Sequence, residues 1–253
     1  MAEPDAPSPP DFYIAAMGRS GSTMLCNWLS TPPERIVFNE PFFDRPMNSR
    51  LLRIQLENLG MTVADDEWVQ RAESPMERFD RLMGARLRGR RWAAKEVLCQ
   101  EHFAMTSAFR PPRVIVTVRD IQHVALSLFE KHRIQQKMDR FSDDWVAEYC
   151  IRESAGLVDY VAHLEACGLP FYVARYEDFG RSEAERAMIA AFICWPGGGD
   201  PAVNFEDFER GFEARRHAER GEVKASRALP DSCIRAARDL AERCSSYQGR
   251  FGY

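Results

Sequence analysis

Lysine is scarce in this sequence: only four of its 34 basic residues are lysine, and the others are arginine. A lysine at the end of an apolar segment therefore stands out, and Lys95 occupies such a position. The sequence also has no excess of positive charge, since 38 acidic residues give a net charge of −4. This balance argues against general affinity for nucleic acids or for membrane surfaces.

Long apolar runs and paired metal-ligand motifs are absent as well. No apolar stretch approaches the roughly 18 residues of a membrane-spanning helix, and residues 1–10 contain four prolines instead of the apolar core of a secretion signal. The seven cysteines are scattered, with no C-x-x-C pair and no histidine at metal-ligand spacing. Their odd number and scatter favour free thiols in a reducing compartment, and we expect a cytoplasmic protein.

Short apolar runs alternate with helix-like stretches along most of the chain. Runs without polar alternation are typical of strands that helices cover on both faces, and the alternation indicates a mostly parallel sheet. We therefore predict a three-layer α/β fold, with residues 1–11 as a disordered lead-in and residues 12–253 as a single domain. The predicted strands are residues 12–17, 35–38, 92–95, 114–118 and 171–174, and the main predicted helices are residues 121–138, 143–166, 183–192 and about 231–244.

A glycine-containing loop joins the first predicted strand to a predicted helix that starts near Ser22. Such a loop directs backbone N–H groups and the positive end of a helix dipole at one point, where a phosphate can bind. The loop departs from the ATPase pattern G-x-x-x-x-G-K-[ST], because Ser22 replaces the lysine and Ala16 replaces the first glycine. Its cation is Arg19, two residues before Gly21. The loop therefore indicates a phosphate ligand other than Mg-ATP; the alternative is an ordinary strand-to-helix turn without a ligand.

Charged or polar residues follow every predicted strand. Ligands of open parallel sheets bind beyond the carboxyl ends of the strands, so these residues would share one edge of the sheet and form a site there. Loops are polar in any case, which leaves this signal open to a simpler explanation. The residues are Arg19 and Ser20, Asn39 and Glu40, Lys95 and Glu96, Arg119 and Asp120, and then Arg175, Tyr176 and Glu177.

A second motif lies around the fourth predicted strand, where Arg119 follows the strand and Ser127 lies eight residues further on. Together with the Arg19-x-Gly21-Ser22-Thr23 loop, this pair resembles the sulfotransferases that use 3′-phosphoadenosine 5′-phosphosulfate (PAPS). The resemblance covers roughly residues 12–43 and 92–178. It is closer to the bacterial carbohydrate and tyrosylprotein branches than to the cytosolic branch, which has a histidine base.

The resemblance implies a P-loop-like sulfotransferase fold and a donor site for PAPS, with adenosine 3′,5′-bisphosphate (PAP) as the product. The glycine loop would hold the 5′-phosphosulfate, through Arg19, Ser20, Gly21, Ser22 and Thr23. Arg119 and Ser127 would hold the 3′-phosphate, for which a guanidinium suits because it can form two parallel hydrogen bonds. Tyr176 would lie near the adenine, although packing in the core is an alternative for that side chain.

The resemblance also implies the catalytic groups Glu40 and Lys95, with Arg19 beside them. Glu40 would take the proton of the acceptor hydroxyl, and a carboxylate beside apolar side chains is the better base for it. Lys95 would stabilise charge on the transferring group. The alternatives are a Glu40 that faces water and a Lys95 whose amine extends from the strand end to solvent. An apolar wall near Glu40 would be built from Phe38, Phe42, Phe43 and Met47.

The acceptor implied is a hydroxyl of a small molecule, a lipid or a carbohydrate, and no metal is expected because a sulfuryl group carries less charge than a phosphoryl group. Two features depart from the family. Met24 stands where cytosolic members have an aromatic residue. The family's C-terminal phosphate-binding loop is not clearly present, and its candidates, chosen by their position alone, are Lys224, Ser226 and Arg227. Two other functions compete, a metal-dependent small-molecule kinase and a non-catalytic nucleotide-binding protein. The sequence carries no signal for an oligomeric state.

Overall fold

Five strands form one sheet at the centre of the fold: β1 (Tyr13–Ala16), β2 (Arg35–Asn39), β3 (Arg91–Glu96), β4 (Val114–Val118) and β5 (Phe171–Arg175). Their order across the sheet is β2-β3-β1-β4-β5, and every neighbouring pair is parallel. The computed structural model describes residues 9–31, 34–41, 52–53, 55–57, 60–69, 72–73, 75–134, 142–195 and 229–253.

The predicted α/β fold class is confirmed, and each predicted strand agrees with the structure to within one residue at either end. The five residues of β4 are all buried, as expected for a strand of β-branched residues covered on both faces. In the described part of the chain the helices are α1 (Ser22–Leu29), α2 (Pro75–Met83), α3 (Cys99–Phe109), α4 (Ile121–Ile134), α5 (Asp143–Cys167), α6 (Tyr176–Arg181), α7 (Glu183–Ile193), α8 (Asp231–Arg243) and α9 (Ser245–Phe251). A short 3-10 helix spans Asp65–Trp68.

The alternation of side chains along the strands divides the core into two layers. Tyr13 and Ala15 of β1 belong to the larger apolar cluster, which also holds buried residues of α3, α4, α5, α8 and α9. Ile14 belongs to the smaller cluster on the other face, with buried residues of α1, α6 and α7. The sheet is therefore the middle layer of three, as predicted.

Several predictions concern residues outside the described ranges. They include residues 1–8 of the lead-in, residues 135–138 of the predicted fourth helix, the apolar residues Phe42, Phe43 and Met47, and the candidates Lys224, Ser226 and Arg227. All seven cysteines lie within the described residues and are free thiols, and five of them are buried. Among the helices described above, none combines the length and the apolar character that crossing a bilayer requires.

Candidate active site

The carboxyl ends of the five strands meet at one edge of the sheet because all of them are parallel. The loop after β1 lies at the middle of this edge, between the turns that follow β3 and β4. This is the region in which open α/β sheets bind their ligands. The strand-end residues singled out from the sequence therefore share one edge.

The glycine loop is closely packed. Gly21 precedes α1 as its N-cap and has a φ of 83°, a conformation that glycine adopts without steric cost. A Cβ atom at this position would lie 2.0 Å from Cδ2 of Tyr176. Two residues earlier, Arg19 also has a positive φ, of 70°. On the other side of the loop, the Gly18 N–H donates a hydrogen bond of 2.7 Å to the Tyr149 hydroxyl.

Arg19, Arg119, Ser127 and Tyr176 form one cluster. The Arg19 Nε donates to the Ser127 hydroxyl at 3.0 Å, and the Arg119 Nη1 donates to the Arg19 carbonyl oxygen at 3.1 Å. The guanidinium carbon of Arg119 lies 4.4 Å from the centre of the Tyr176 ring, within cation–π range. Four residues selected from three separate segments of the sequence are therefore in mutual contact.

This cluster concentrates positive charge beside the glycine loop, where part of the Arg19 side chain stays exposed to solvent. Partial desolvation of its guanidinium, and then the charge of Arg119, lower the pKa of Arg19 from its usual value. Arg119 is 6% exposed, and within the described residues neither guanidinium forms an ion pair with a carboxylate. The Arg119 Nε and the Ser20 hydroxyl are buried and have no hydrogen-bond partner among the described residues. Two adjacent guanidinium groups with unused donors can bind an anion with several oxygens.

The main chain of Arg119 is held from the C-terminal end of the chain. The hydroxyl of Tyr247 accepts a hydrogen bond from the Arg119 N–H at 3.2 Å and donates one to the Arg119 carbonyl oxygen at 3.1 Å. Gln248 accepts from the N–H of Ile121 at 3.3 Å. Helix α9 therefore fixes the turn between β4 and α4.

Glu40 and Lys95 form a second group at the same edge of the sheet. The Lys95 Nζ donates to the Glu40 carboxylate at 2.7 Å, with the lysine side chain 1% exposed and the glutamate side chain 24% exposed. The Glu40 N–H donates to the Lys95 carbonyl oxygen at 2.7 Å. These contacts differ from both simpler alternatives: the Lys95 amine does not extend to solvent, and Glu40 is paired instead of facing only water.

The expectation that Phe38 helps to form a wall near Glu40 is wrong. Phe38 is fully buried in the larger core cluster, where its ring lies 5.9 Å from that of Phe79 and 6.4 Å from that of Trp92. The cause is the alternation along β2, which directs Ile36 and Phe38 to the face of the sheet that holds the larger core cluster and Val37 to the other face.

No protein-family model matches this sequence, and no curated protein matches it. Solved structures do match the fold. A sulfotransferase from Alicyclobacillus acidocaldarius aligns with a TM-score of 0.51 over 96% of each chain at 14% identity. The sulfotransferase domain from the Synechococcus PCC 7002 olefin synthase aligns with a TM-score of 0.55 at 17% identity, over 95% of this chain and 98% of that one. The sulfotransferase domain from the curacin biosynthetic pathway gives 0.51 at 14% identity, over 93% and 99%.

The chain has the sulfotransferase fold. The sequence-based prediction of that fold is therefore confirmed, although the identities of 14–17% are too low to carry over the activity of any of these proteins. In the part of the chain that the structure describes, no group of three or more histidine, cysteine, aspartate or glutamate residues could hold a metal ion.

Three residues that support the site in this sulfotransferase fold were not predicted from the sequence. Tyr149, Tyr247 and Gln55 lie in segments without a motif, and each binds main-chain groups at the strand ends that form the candidate site. Tyr149 contacts Gly18 across a sequence separation of 131 residues, and Tyr247 contacts Arg119 across 128. Periodicity and short motifs report only local structure, so they carry no signal for such contacts.

Proposed function

We propose that this protein transfers a sulfuryl group from PAPS to a hydroxyl group of an acceptor. The observation that carries the proposal is the pair of neighbouring guanidiniums of Arg19 and Arg119, which lie beside the glycine loop without a carboxylate partner among the described residues. A nucleotide with phosphates at its 3′ and 5′ positions supplies anionic oxygens for both guanidiniums. The fold supports the same assignment, because its solved neighbours are sulfotransferases.

The donor would be held at two points. The backbone N–H groups of the loop and the start of α1, with Ser22 and Thr23, would bind the 5′-phosphosulfate. Arg119 and Ser127 would bind the 3′-phosphate. Arg19 belongs to the glycine loop and donates a hydrogen bond to Ser127, so its guanidinium would contribute to either point. The Tyr176 ring would pack against the Arg119 guanidinium and line the nucleotide site.

The reaction forms one S–O bond and breaks another. The acceptor oxygen attacks the sulfur atom, the bond between sulfur and the 5′-phosphate oxygen breaks, and PAP leaves with the bonding electron pair. Glu40 accepts the proton of the acceptor hydroxyl, and Lys95 stabilises the charge on the transferring sulfuryl group and the departing oxygen. Their ion pair of 2.7 Å puts the Lys95 ammonium beside the Glu40 carboxylate before the acceptor binds. Small-molecule, lipid and carbohydrate alcohols are all acceptors that this chemistry permits.

Isothermal titration calorimetry without metal tests the donor site. We expect PAP to bind more tightly than ATP, and Arg119→Ala to weaken PAP by about tenfold or more, since one charge-assisted hydrogen bond contributes on the order of 1.5–3 kcal/mol. Adenosine 5′-monophosphate, which lacks the 3′-phosphate, should be affected much less. Magnesium-dependent ATP binding with no PAP binding would instead indicate a kinase.

Transfer of labelled sulfate from PAPS tests the reaction. The acceptor panel should contain 4-nitrophenol, 1-octanol and methyl glucoside, and release of sulfate to water should be measured in parallel. Glu40→Gln should lower turnover by about 10²–10⁴-fold with PAP affinity nearly unchanged. Undiminished turnover in this variant excludes Glu40 as the base, and PAP binding without transfer or sulfate release supports a non-catalytic binding protein.

A further inference from the structure

The outer edge of β2 is covered at one point by a side-chain amide. Among the strands that the structure describes, β2 has β3 as its only neighbour and lies at the edge of the sheet, so its outward N–H and carbonyl groups need other partners. At Asn39 both are satisfied by Gln55: Oε1 accepts from the Asn39 N–H at 2.7 Å, and Nε2 donates to the Asn39 carbonyl oxygen at 3.0 Å. Gln55 is 2% exposed. Its carboxamide thus takes the place of a peptide unit from a further strand.

The residue held in this way immediately precedes Glu40. Glu40 itself has a φ of 51°, a left-handed conformation that is unfavourable for a residue with a Cβ and persists only where the surroundings enforce it. On the inner side the Glu40 N–H is bound by the Lys95 carbonyl oxygen at 2.7 Å. The turn that presents the carboxylate is therefore fixed from β3 on one side and from Gln55 on the other.

We propose that Gln55 is a positioning residue for the general base, and this proposal rests on the assignment of Glu40 under the proposed function. The clamp ends the strand at Asn39 and holds Glu40 in the orientation in which its carboxylate meets the Lys95 ammonium. Gln55 itself takes no part in proton transfer. Without the clamp, the Asn39–Glu40 peptide would relax toward an extended conformation and move the carboxylate away from the acceptor oxygen.

Gln55→Met tests the proposal because methionine keeps the length and volume of the side chain but loses both hydrogen bonds. We expect the kcat for sulfate transfer from PAPS to fall by about 10–100-fold, since a displacement of about 1 Å can cost 10²-fold. The KM for PAPS and the calorimetric affinity for PAP should stay unchanged. Glu57→Gln is the matched control: Glu57 is exposed on the same helical stretch, where its ion pair with Arg53 is on the surface, and this variant should behave as the unmodified protein.

A double-mutant cycle separates positioning from general destabilisation. If Gln55 acts through Glu40, then Glu40→Gln with Gln55→Met should be no slower than Glu40→Gln alone. Multiplicative losses, or an unchanged kcat in Gln55→Met, would overturn the positioning role and leave the base assignment standing. An unchanged kcat in Glu40→Gln would overturn the base assignment itself. Should Gln55→Met not fold, Gln55→Glu replaces it in the cycle; because it keeps the acceptor for the Asn39 N–H and loses only the bond to the Asn39 carbonyl oxygen, a smaller fall in kcat is expected, and an unchanged kcat would again overturn the positioning role.

Discussion

Positive φ angles at residues other than glycine have two different causes in this protein. Among the described residues, four that are not glycine have a positive φ: Arg19, Glu40, Arg110 and Cys194. Arg110 and Cys194 are the C-caps of α3 and α7, where a left-handed residue commonly ends a helix. Arg19 and Glu40 end no helix, and both belong to the proposed site. Backbone strain that packing does not require is often found at functional positions.

Glycine substitutions at Arg19 and at Arg110 should therefore have different effects on PAP binding. Arg19→Gly relieves a left-handed conformation that costs a side chain about 1–2 kcal/mol, and it removes the repulsion between the charges of Arg19 and Arg119. Because the Ser127 bond is lost as well, we expect the free energy of unfolding to stay within about 1 kcal/mol of the original. PAP affinity should nevertheless fall by about tenfold or more.

Arg110→Gly is the control for this experiment. It should stabilise the protein by about 0.5–1 kcal/mol through its C-cap position and leave PAP affinity unaltered. Urea denaturation and calorimetry report the two quantities. A strong loss of stability in Arg19→Gly, with PAP binding retained by the folded fraction, would show that Arg19 serves the fold and not the ligand.

At the scale of helices and strands, the sequence was most informative where local patterns decide the structure. β4 was predicted with its correct ends because five consecutive β-branched or threonine residues are followed directly by Arg119. The last predicted helix, near residues 231–244, agrees with α8 to within one residue, but α9 (Ser245–Phe251) was not predicted. α9 has only seven residues and contains Gly249, so propensity gave little signal for it.

The junction of β1 and α1 depends on close contact between Gly21 and Tyr176. An added methyl group at residue 21 would come within 2.0 Å of the tyrosine ring. The alanine backbone would also have to adopt a φ of 83°, which is unfavourable for a residue with a side chain. We expect Gly21→Ala to destabilise the protein by about 1–3 kcal/mol. It should also abolish detectable PAP binding, because the ring that supports Arg119 must move.

Gly180→Ala provides the comparison for the same chemical change. Gly180 lies within α6 and has open space around its Cα, so alanine should be neutral or stabilising by about 0.5–1 kcal/mol. Thermal unfolding and calorimetry would measure both variants. Equal behaviour of the two would mean that the Gly21–Tyr176 contact does not shape the loop.

For the whole molecule, the candidate site depends on helices far away in the sequence. Motifs identified residues of the candidate site, such as Arg119, but not the tyrosine hydroxyls that bind the main chain of Gly18 and of Arg119. Tyr247→Phe should weaken PAP by about three- to tenfold, the equivalent of one hydrogen bond of 0.5–1.5 kcal/mol. Adenosine 5′-monophosphate should be unaffected, and a parallel loss for both nucleotides would contradict a role limited to the Arg119 turn.

A buried histidine links the stability of the whole protein to pH. His102 of α3 is fully buried; its Nε2 lies 2.9 Å from the Ala16 carbonyl oxygen, just before the glycine loop, and its Nδ1 lies 2.7 Å from the Tyr13 hydroxyl. The carbonyl can only accept, so Nε2 carries the proton and Nδ1 accepts from Tyr13. Burial lowers the pKa of His102 to about 3, and the charge of Lys95 acts in the same direction.

Acid should therefore destabilise the fold through His102. The unfolded chain binds a proton at this residue below about pH 6.5, whereas the folded chain does so only near pH 3, so stability is complete above the first value and is lost as the pH falls toward the second. We expect His102→Gln to remove this acid-dependent loss of stability. In urea denaturation, the stability of the variant relative to the original should rise by about 2–3 kcal/mol between about pH 7 and about pH 4.5. His163→Gln, at an exposed position on α5, is the control and should leave the pH dependence of stability unchanged. If His102→Gln also leaves it unchanged, His102 is not the group that resists protonation. The end of β1 would then be held by other contacts.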